Sequence, residues 1–389
     1  MQRIKEKYDY RLSDIQYFLH QNPEIAFSEY RTTELICDTL KEIGCEIIDL
    51  GLSTGVVARI NTGKSGKVIA LRADIDGIQQ REAVERPDKS VNIGVMHACG
   101  HDVHITSLLG AAMDLMDIKD ELTGDVVFIF QPAEETIAGA KHLIAKGLFD
   151  KVHIDAMFGL HNDPDMECGK VGVKTGPLMA AKDDFCITVH GTGGHGGLPH
   201  LCIDPVLAGC SIVSSLQSVV SRNVNPEEAA VVSVCSVHGG EASNLIPNEM
   251  SLGGCARTFK NSVQELVIRR IREIAEGIAA GYGCEINMDH YATVPPLINE
   301  GQICNIAAQA AANTVGANNV ICPSVNFASE DFSVYGKYLP TFFYFLGSGI
   351  PERKNAPWHS SYFMADPETA LWGAALLRNS VIAAQKDLN

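Results

Sequence analysis

Four continuous apolar runs constrain the fold of this 389-residue chain more than any other feature. A strand covered on both faces is apolar throughout, whereas a half-exposed strand alternates apolar and polar residues. Segments with helical periodicity, such as ITSLLGAAMDLM at 105–116, separate the runs. The alternation predicts an α/β layer architecture, with a sheet packed between helices. The runs are VIALRA (68–73), DVVFIF (125–130), DAMFGL (155–160) and TFFYFLG (341–347).

The middle of the chain has a different pattern. Phe185, Ile187 and Val189 alternate with polar residues, which indicates a strand with one solvated face. Asp204-Pro205 is typical of a helix start, and the elements that follow complete the β-α-β-β-α-β order of a ferredoxin-like fold. We therefore predict an α/β domain in two parts, interrupted by an inserted α+β domain. The predicted boundaries are 1–175 and 291–389 for the first domain and 176–290 for the second. A last helix is expected to begin at Asp366-Pro367, again with Pro at its first position.

The charge of the chain excludes several classes of partner. Its 31 basic and 47 acidic residues give a net charge of -16, which repels nucleic acid and anionic membranes. No apolar stretch approaches the roughly 18 residues of a membrane span, and the N-terminus lacks the apolar segment of a signal peptide. The sequence therefore predicts a cytoplasmic protein without nucleic-acid or membrane partners.

Twelve cysteines are present, and none are spaced as CxxC. That spacing would be needed for a zinc ribbon or a thioredoxin-type pair. Most lie in apolar stretches, so eleven are expected to be small buried thiols in a reducing compartment. The exception is Cys99.

Cys99 lies in the densest polar cluster of the chain, MHACGHDVH at 96–104. A thiolate and an imidazole two residues apart suit zinc, and also cobalt, nickel or manganese when carboxylates join them. Asp102 is predicted to orient His101 as a hydrogen-bond partner behind the metal. Two other interpretations stay open from the spacing alone. Cys99 is a nucleophile with a histidine base, or the cluster is a polar turn with a buried thiol.

Polar residues follow three of the predicted strands: Asp74 and Asp76, then Glu134 and Glu135, then His161. Ligands of open α/β sheets bind beyond the carboxyl ends of strands, so we expect one shared site. Adjacent glutamates can have different roles, because one can coordinate a metal while the other acts as a base on metal-bound water. The alternative is a solvated acidic pair in a loop.

Taken in order, a series of motifs resembles the M20 metallopeptidase family, in its amidohydrolase branch. That branch includes aminoacylases, hippurate hydrolases, N-acetyl-diaminopimelate deacetylases and auxin-conjugate hydrolases. The motifs span nearly the whole chain: LHQNPEIAFSE (19–29), MHACGHDVH (96–104), FQPAEET (130–136), GLHN (159–162), GTGGHGGLPH (191–200), SRNVNP (221–226), NLIPN (244–248), ASEDF (328–332) and WHSSY (358–362).

The resemblance implies a dinuclear-metal exopeptidase-like catalytic domain with a lid or dimerisation domain inserted into it. It implies two divalent ions (Mn, Zn, Co or Ni), with Cys99 bridging them and Glu134 as general base and acid. The implied ligands are Cys99, His101, Glu135, His161 and His359.

The resemblance also implies roles for the inserted domain and an activity. His195 would stabilise the oxyanion, often from the partner subunit of a homodimer, while Asn244 and Arg257 would contact the substrate carboxylate. The implied reaction cleaves the amide bond of an N-acyl or N-aroyl amino acid, giving a carboxylate and a free amino acid. The alternatives are a dipeptidase or carboxypeptidase on the same site, a non-catalytic metal- or ligand-binding relative, and a cysteine hydrolase using Cys99.

One segment departs from the family pattern. After Asp76 the chain reads GIQQREAVERPDKS (77–90), where the family usually continues with a different apolar run. This segment is expected to line the substrate pocket.

Overall fold

The computed structural model describes residues 1–388, with the backbone alone at position 292. Within this range the helices are α1 Gln2–Gln21, α2 Tyr30–Glu42, α3 His101–Asp117, α4 Gly139–Ala145, α5 Leu148–Lys151, α6 Pro205–Asn223, α7 Asn261–Gly281, α8 Ile303–Val315 and α9 Thr369–Asp387. None of these helices, all within residues 1–388, has the length and hydrophobicity needed to cross a bilayer.

The strands follow the apolar runs closely. They are β1 Glu46–Ile47, β2 Val56–Ile60, β3 Ile69–Asp74, β4 Val126–Gln131, β5 Ala156–Glu167, β6 Val171–Gly172, β7 Gly176–Met179, β8 Lys182–His190, β9 Gly194–His195, β10 Ala230–His238, β11 Leu245–Ile246, β12 Glu249–Thr258, β13 Glu285–Val294, β14 Leu297–Asn299, β15 Val320–Ile321 and β16 Thr341–Gly349.

The chain divides into two compact units. The first contains Met1–Gly176, Asn299–Ser324 and the residues from Val334 onward, and the second contains Pro177–Ile298 and Val325–Ser333. The first unit is α/β and the second is α+β, so the predicted fold class is confirmed.

The first unit is built on a mixed sheet in the order β1-β2-β4-β3-β5-β16-β6-β15. Its centre, β4-β3-β5-β16, is parallel, and every residue of β3 and β4 is buried. This burial on both faces explains why these strands are apolar throughout rather than alternating. The carboxyl ends of β4, β3 and β5 lie side by side, as the sequence predicts.

Helix α3 is buried along most of its length and packs against α9. The two helices approach closely at Gly373. A Cβ added there would lie 2.2 Å from Ser107 Oγ and 3.0 Å from Leu346 Cδ2. Packing density, rather than backbone conformation, therefore requires glycine at this position.

The second unit has an antiparallel sheet in the order β10-β12-β8-β13. Phe185, Ile187 and Val189 of β8 lie in its core together with residues of α6 and α7. The Asp204 carboxylate accepts hydrogen bonds from the backbone N–H groups of Val206 (2.8 Å) and Leu207 (3.3 Å). The predicted cap of α6 is thus confirmed.

The last helix begins two residues later than predicted. Helix α9 begins at Thr369. Asp366 Oδ1 instead accepts the N–H of Glu368 at 2.9 Å, which closes a turn on Asp366-Pro367 ahead of the helix. The side chain of Asp366 thus stabilises this turn, and Glu368 is the residue that directly precedes the helix.

The expectation of buried thiols is also wrong for most cysteines. Cys45, Cys99, Cys284 and Cys304 are buried, whereas Cys210, Cys235 and Cys322 are exposed and the others lie between these limits. Amphipathic helices and one-sided sheets carry solvent-facing positions inside apolar stretches. Cys210 on α6 and Cys235 on β10 are examples.

Two glycine-to-alanine substitutions at helix interiors should have opposite effects on stability. A Cβ at Gly277 in α7 meets nothing within 4 Å, so Gly277→Ala should raise the free energy of unfolding by about 0.5–1 kcal/mol. Gly373→Ala should lower it by about 1–3 kcal/mol, because Ser107 and Leu346 must move. Urea denaturation followed by circular dichroism measures both. A stabilised Gly373→Ala would contradict the close approach of α3 and α9.

Candidate metal centre

The structure brings all five predicted ligands together beyond the carboxyl ends of β4, β3 and β5. Cys99 Sγ lies 3.3 Å from His161 Nε2. Glu135 lies between two imidazoles, with Oε1 at 3.9 Å from His101 Nε2 and Oε2 at 3.3 Å from His359 Nε2. The donor atoms form overlapping trios within 4.8 Å: Cys99-His101-His161, Cys99-Glu135-His359 and His101-Glu134-Glu135.

Hydrogen bonds on the far side of two imidazoles point their Nε2 atoms toward the cluster. His101 Nδ1 donates to the backbone carbonyl of Asp76 at 2.8 Å, and His161 Nδ1 donates to that of Asn162 at 2.8 Å. A carbonyl oxygen can only accept, so Nδ1 carries the proton in both rings. In its neutral form each ring then presents the Nε2 lone pair to the cluster, which is the arrangement of metal-binding histidines.

The cluster leaves two buried polar atoms without a protein hydrogen bond among the described residues: His101 Nε2 and Glu135 Oε1. Leaving such atoms unpaired costs about 1–3 kcal/mol each. A thiolate, three imidazoles and a carboxylate form a borderline-soft donor set that suits Zn, Co, Ni or Mn. The residues present therefore fit divalent cations.

Two buried charges lie beside the cluster, and one of its histidines is held in the neutral, ligand form. His104 Nδ1 donates to Asp74 Oδ1 at 2.6 Å, and Arg72 donates to Asp74 Oδ2 at 2.7 Å. Burial opposes ionisation of Asp74, but His101, His104 and Arg72 hold its pKa well below the usual range. Burial and the nearby His104 hold the pKa of His161 well below its usual value, so this imidazole is neutral.

Asp76 is a site residue whose role the sequence reasoning missed. Its two carboxylate oxygens accept the backbone N–H groups of Glu134 (3.1 Å) and Glu135 (3.0 Å), and its carbonyl holds His101. The preceding Ala133 has a φ of 57°, unusual for a residue other than glycine and costly unless the surroundings impose it. Asp76 therefore fixes the turn that presents both glutamates. The only sequence signal was its position just after a buried strand.

Glycine is required between Cys99 and His101. Gly100 has a φ of 83°, and a Cβ there would lie 2.4 Å from Asn162 Nδ2. That amide donates to the Cys99 carbonyl at 2.6 Å. The close approach locks the Cys99 loop against the end of β5.

The backbone of His359 is fixed by hydrogen bonds to other loops. Its φ is 61°, its N–H donates to the Ala98 carbonyl at 2.9 Å, and its carbonyl accepts from Gln80 Nε2 at 3.0 Å. The preceding Trp358 donates to the Asn162 carbonyl at 3.0 Å. The loop that carries His359 is thus tied to the loops of Cys99 and His161.

The predicted role of Asp102 is wrong. Asp102 does not orient His101. Its Oδ2 lies 2.9 Å from His20 Nδ1, while Asp76 occupies His101 Nδ1. The reason is helical geometry, because both residues lie in the first turn of α3, where side chains at i and i+1 do not face each other.

The predicted residues of the second unit are not all neighbours. His195 is exposed and its Nδ1 accepts the N–H of Gly197 at 3.0 Å. Asn244 is close by, since its carbonyl accepts the N–H of Gly196 at 2.8 Å. Arg257 lies near the opposite end of β12, about 26 Å along the strand from Glu249. Asn244 and Arg257 therefore cannot bind the same small carboxylate within one copy of this unit.

Comparisons with known proteins agree with this geometry. The sequence pattern of peptidase family M20/M25/M40 matches residues 70–381. An N-acetylcysteine deacetylase of Bacillus subtilis is 42% identical over 92% of this chain and 92% of its own length. A thermostable carboxypeptidase of Saccharolobus solfataricus is 34% identical over 95% and 94%. A solved dinuclear metal-binding M20 peptidase of B. subtilis superposes with a TM-score of 0.86 at 36% identity, covering 98% of this chain and 99% of that one.

Removing the Asp76 carboxylate should loosen the glutamate turn even without metal. Asp76→Ala leaves the N–H groups of Glu134 and Glu135 without their acceptors, and it should lower the free energy of unfolding by about 2–4 kcal/mol. Chemical denaturation in the presence of a chelator measures this without any contribution from bound metal. Asp120→Ala, at an exposed aspartate of the same unit, is the control. A loss no larger than that of the control would contradict the assigned role.

Proposed function

Since this chain belongs to peptidase family M20/M25/M40, we propose that it is a metal-dependent amidohydrolase that cleaves N-acyl amino acids through the cluster around Glu135. One observation carries the proposal. Two adjacent glutamates share the cluster, and the Glu135 carboxylate lies between His101 and His359, whereas Glu134 is the buried carboxylate beside it. This arrangement supports one glutamate as ligand and its neighbour as base. The deacetylase relative supports the N-acyl substrate class.

The proposed ligands are Cys99, His101, Glu135, His161 and His359. Two divalent ions held by these residues would lower the pKa of a bound water and polarise the scissile carbonyl. The Glu134 carboxylate would accept a proton from the attacking water and return it to the leaving amine. Asp76 holds the Glu134 backbone in place for both transfers.

The inserted unit is assigned to transition-state stabilisation and dimerisation. We assign His195 as the donor to the developing oxyanion in the site of a partner subunit of a homodimer. Asn244 and Arg257 are assigned to the substrate carboxylate. Most of the length of β12 lies between these two residues, which supports a division of this role between copies, or a contact by only one of them. We further place the protein in the cytoplasm, since its twelve free thiols suit a reducing compartment.

A second activity has its own support. The carboxypeptidase relative covers nearly the whole chain, and the same cluster would serve a peptide bond. A panel of N-acetyl amino acids, N-benzoyl amino acids and dipeptides, tested with added Mn²⁺, Zn²⁺, Co²⁺ or Ni²⁺, separates the two activities. Faster turnover of dipeptides than of every N-acyl amino acid would favour the peptidase. A binding protein would hydrolyse none of them, and a cysteine hydrolase would retain its activity with a chelator.

The two glutamates should separate chemistry from metal binding. Glu134→Gln is expected to retain wild-type metal content and lose about 10²–10⁴-fold in kcat, because the proton acceptor is removed. Glu135→Gln is expected to lose metal, because a ligand charge is removed. Elemental analysis and steady-state kinetics on both variants make the comparison. Full activity in Glu134→Gln would reject the assigned base.

Subunit complementation tests His195 and the homodimer together. Glu134→Gln and His195→Ala subunits, each inactive alone, are co-expressed. If His195 acts across the interface, one site of each mixed dimer has both groups, so about a quarter of wild-type activity should return on random assembly. If His195 acts within its own subunit, or if the protein is a monomer, no activity should return. Purification through two different tags isolates the mixed dimers.

A further inference from the structure

Three buried titratable side chains outside the proposed ligand set form one group in the first unit. His20 Nδ1 lies 2.9 Å from Asp102 Oδ2, and His20 Nε2 lies 3.2 Å from Glu82 Oε1. The side chains of all three residues are at most 5% exposed. Each ring nitrogen faces a carboxylate oxygen, so the imidazole is protonated and donates at both ends.

The charge state agrees with this geometry. Burial opposes the charged imidazole, but Asp102 and Glu82 raise the pKa of His20 to about 9. A buried cation between two buried carboxylates is stable only while every member is paired, because removal of one leaves an uncompensated charge. The group is therefore a rigid connection between the elements that carry it.

Those elements are separate parts of the chain. His20 is near the end of α1, Asp102 is in the first turn of α3 beside His101, and Glu82 belongs to the 77–90 segment. Glu82 Oε2 also accepts the N–H of Ser90 at 2.8 Å. The buried group thus fixes the 77–90 segment internally and attaches it to the helix that begins with a proposed ligand.

The same segment holds the loop of His359. Gln80 Nε2 donates to the His359 carbonyl at 3.0 Å, and the N–H of Ala83 donates to the Ser361 carbonyl at 2.9 Å. These contacts lie on either side of Glu82 in the sequence. His359 has a left-handed backbone, a conformation that persists only when the surroundings enforce it. The 77–90 segment supplies part of that enforcement.

We propose that His20 is a positioning residue for the metal centre: through Glu82 and Asp102 it holds the 77–90 segment, which in turn sets the backbone of His359. This inference rests on the proposed role of His359 as a metal ligand. His20 contacts neither metal nor substrate in this scheme. Its effect reaches the site by way of Glu82, then Gln80 and Ala83.

The test measures metal affinity in the full-length chain. Glu82→Ala removes the acceptor on the segment. Glu85→Ala is the matched control, because its side chain is 88% exposed and is paired to Lys89 in the same segment. Protein freed of metal is titrated with Mn²⁺ and with Zn²⁺ against a competing chelating dye. Glu82→Ala should weaken the binding of one of the two ions about tenfold or more. The affinity for the other ion should stay within about twofold of wild type, because Cys99, His101 and His161 lie outside the segment. Glu85→Ala should match wild type.

A double-mutant comparison separates positioning from general stability. If His20 acts through Glu82, His20→Gln combined with Glu82→Ala should weaken metal binding no more than Glu82→Ala alone. The inference would be overturned if the fold-losses in affinity of the two single variants multiplied in the double variant. It would also be overturned if Glu82→Ala bound both ions with wild-type affinity.

Gln80→Ala keeps the inference testable if the buried variants do not fold. It breaks the contact with the His359 carbonyl without disturbing a buried charge, and a selective loss of about threefold or more for the same ion is expected. No loss would count against the inference. Failure of the proposed function looks different, since wild-type protein would then bind no metal pair or hydrolyse no N-acyl amino acid. Wild-type protein that does both, with a Glu82→Ala variant that matches it, would refute the positioning role alone.

Discussion

The metal centre depends on one constraint: polar and charged groups taken out of water at the edge of the sheet must each find a partner. Asp74 is paired with His104 and Arg72, and Asp76 accepts two backbone N–H groups. The backbone carbonyls of Asp76 and Asn162 take the Nδ1 protons of two histidines. The buried atoms of the cluster that have no hydrogen-bond partner among the described residues are His101 Nε2 and Glu135 Oε1. The hydrogen bonds of the surrounding residues thus orient the proposed ligands.

This constraint also explains which parts of the site a sequence can disclose. Continuous apolar runs expose the buried strands, and the chemistry beyond their ends follows from topology. The approximate position of Asp76, Glu135 and His161 was therefore predictable. The hydrogen-bond partner of His101 was not predictable, because every residue has a backbone carbonyl and the sequence does not indicate which one is used. Asp102 is the converse case. Adjacency along the chain suggested a contact that the helix rules out, and the true partner lies 82 residues away.

Other differences between the predictions and the structure have equally local causes. Asp366-Pro367 has the composition of a helix start, but the aspartate closes a turn instead. Asn244 and Arg257 were grouped by a shared expected ligand, yet the length of β12 separates them. The exposed thiols show that an apolar stretch is not the same as a buried one. In each case the local pattern was recognised correctly and a three-dimensional distance decided the outcome.

The order of the chain has a consequence for how the site is assembled in the cell. The second unit is encoded between β5, which bears His161, and the loop that bears His359, so these two residues are about 200 positions apart. At roughly 5–20 residues per second, a ribosome needs about 10–40 s to cover that distance. During that interval the nascent chain contains the thiol of Cys99, the imidazoles of His101 and His161 and the two glutamates, but not yet His359. The five donor groups can therefore come together only after the second unit has been synthesised.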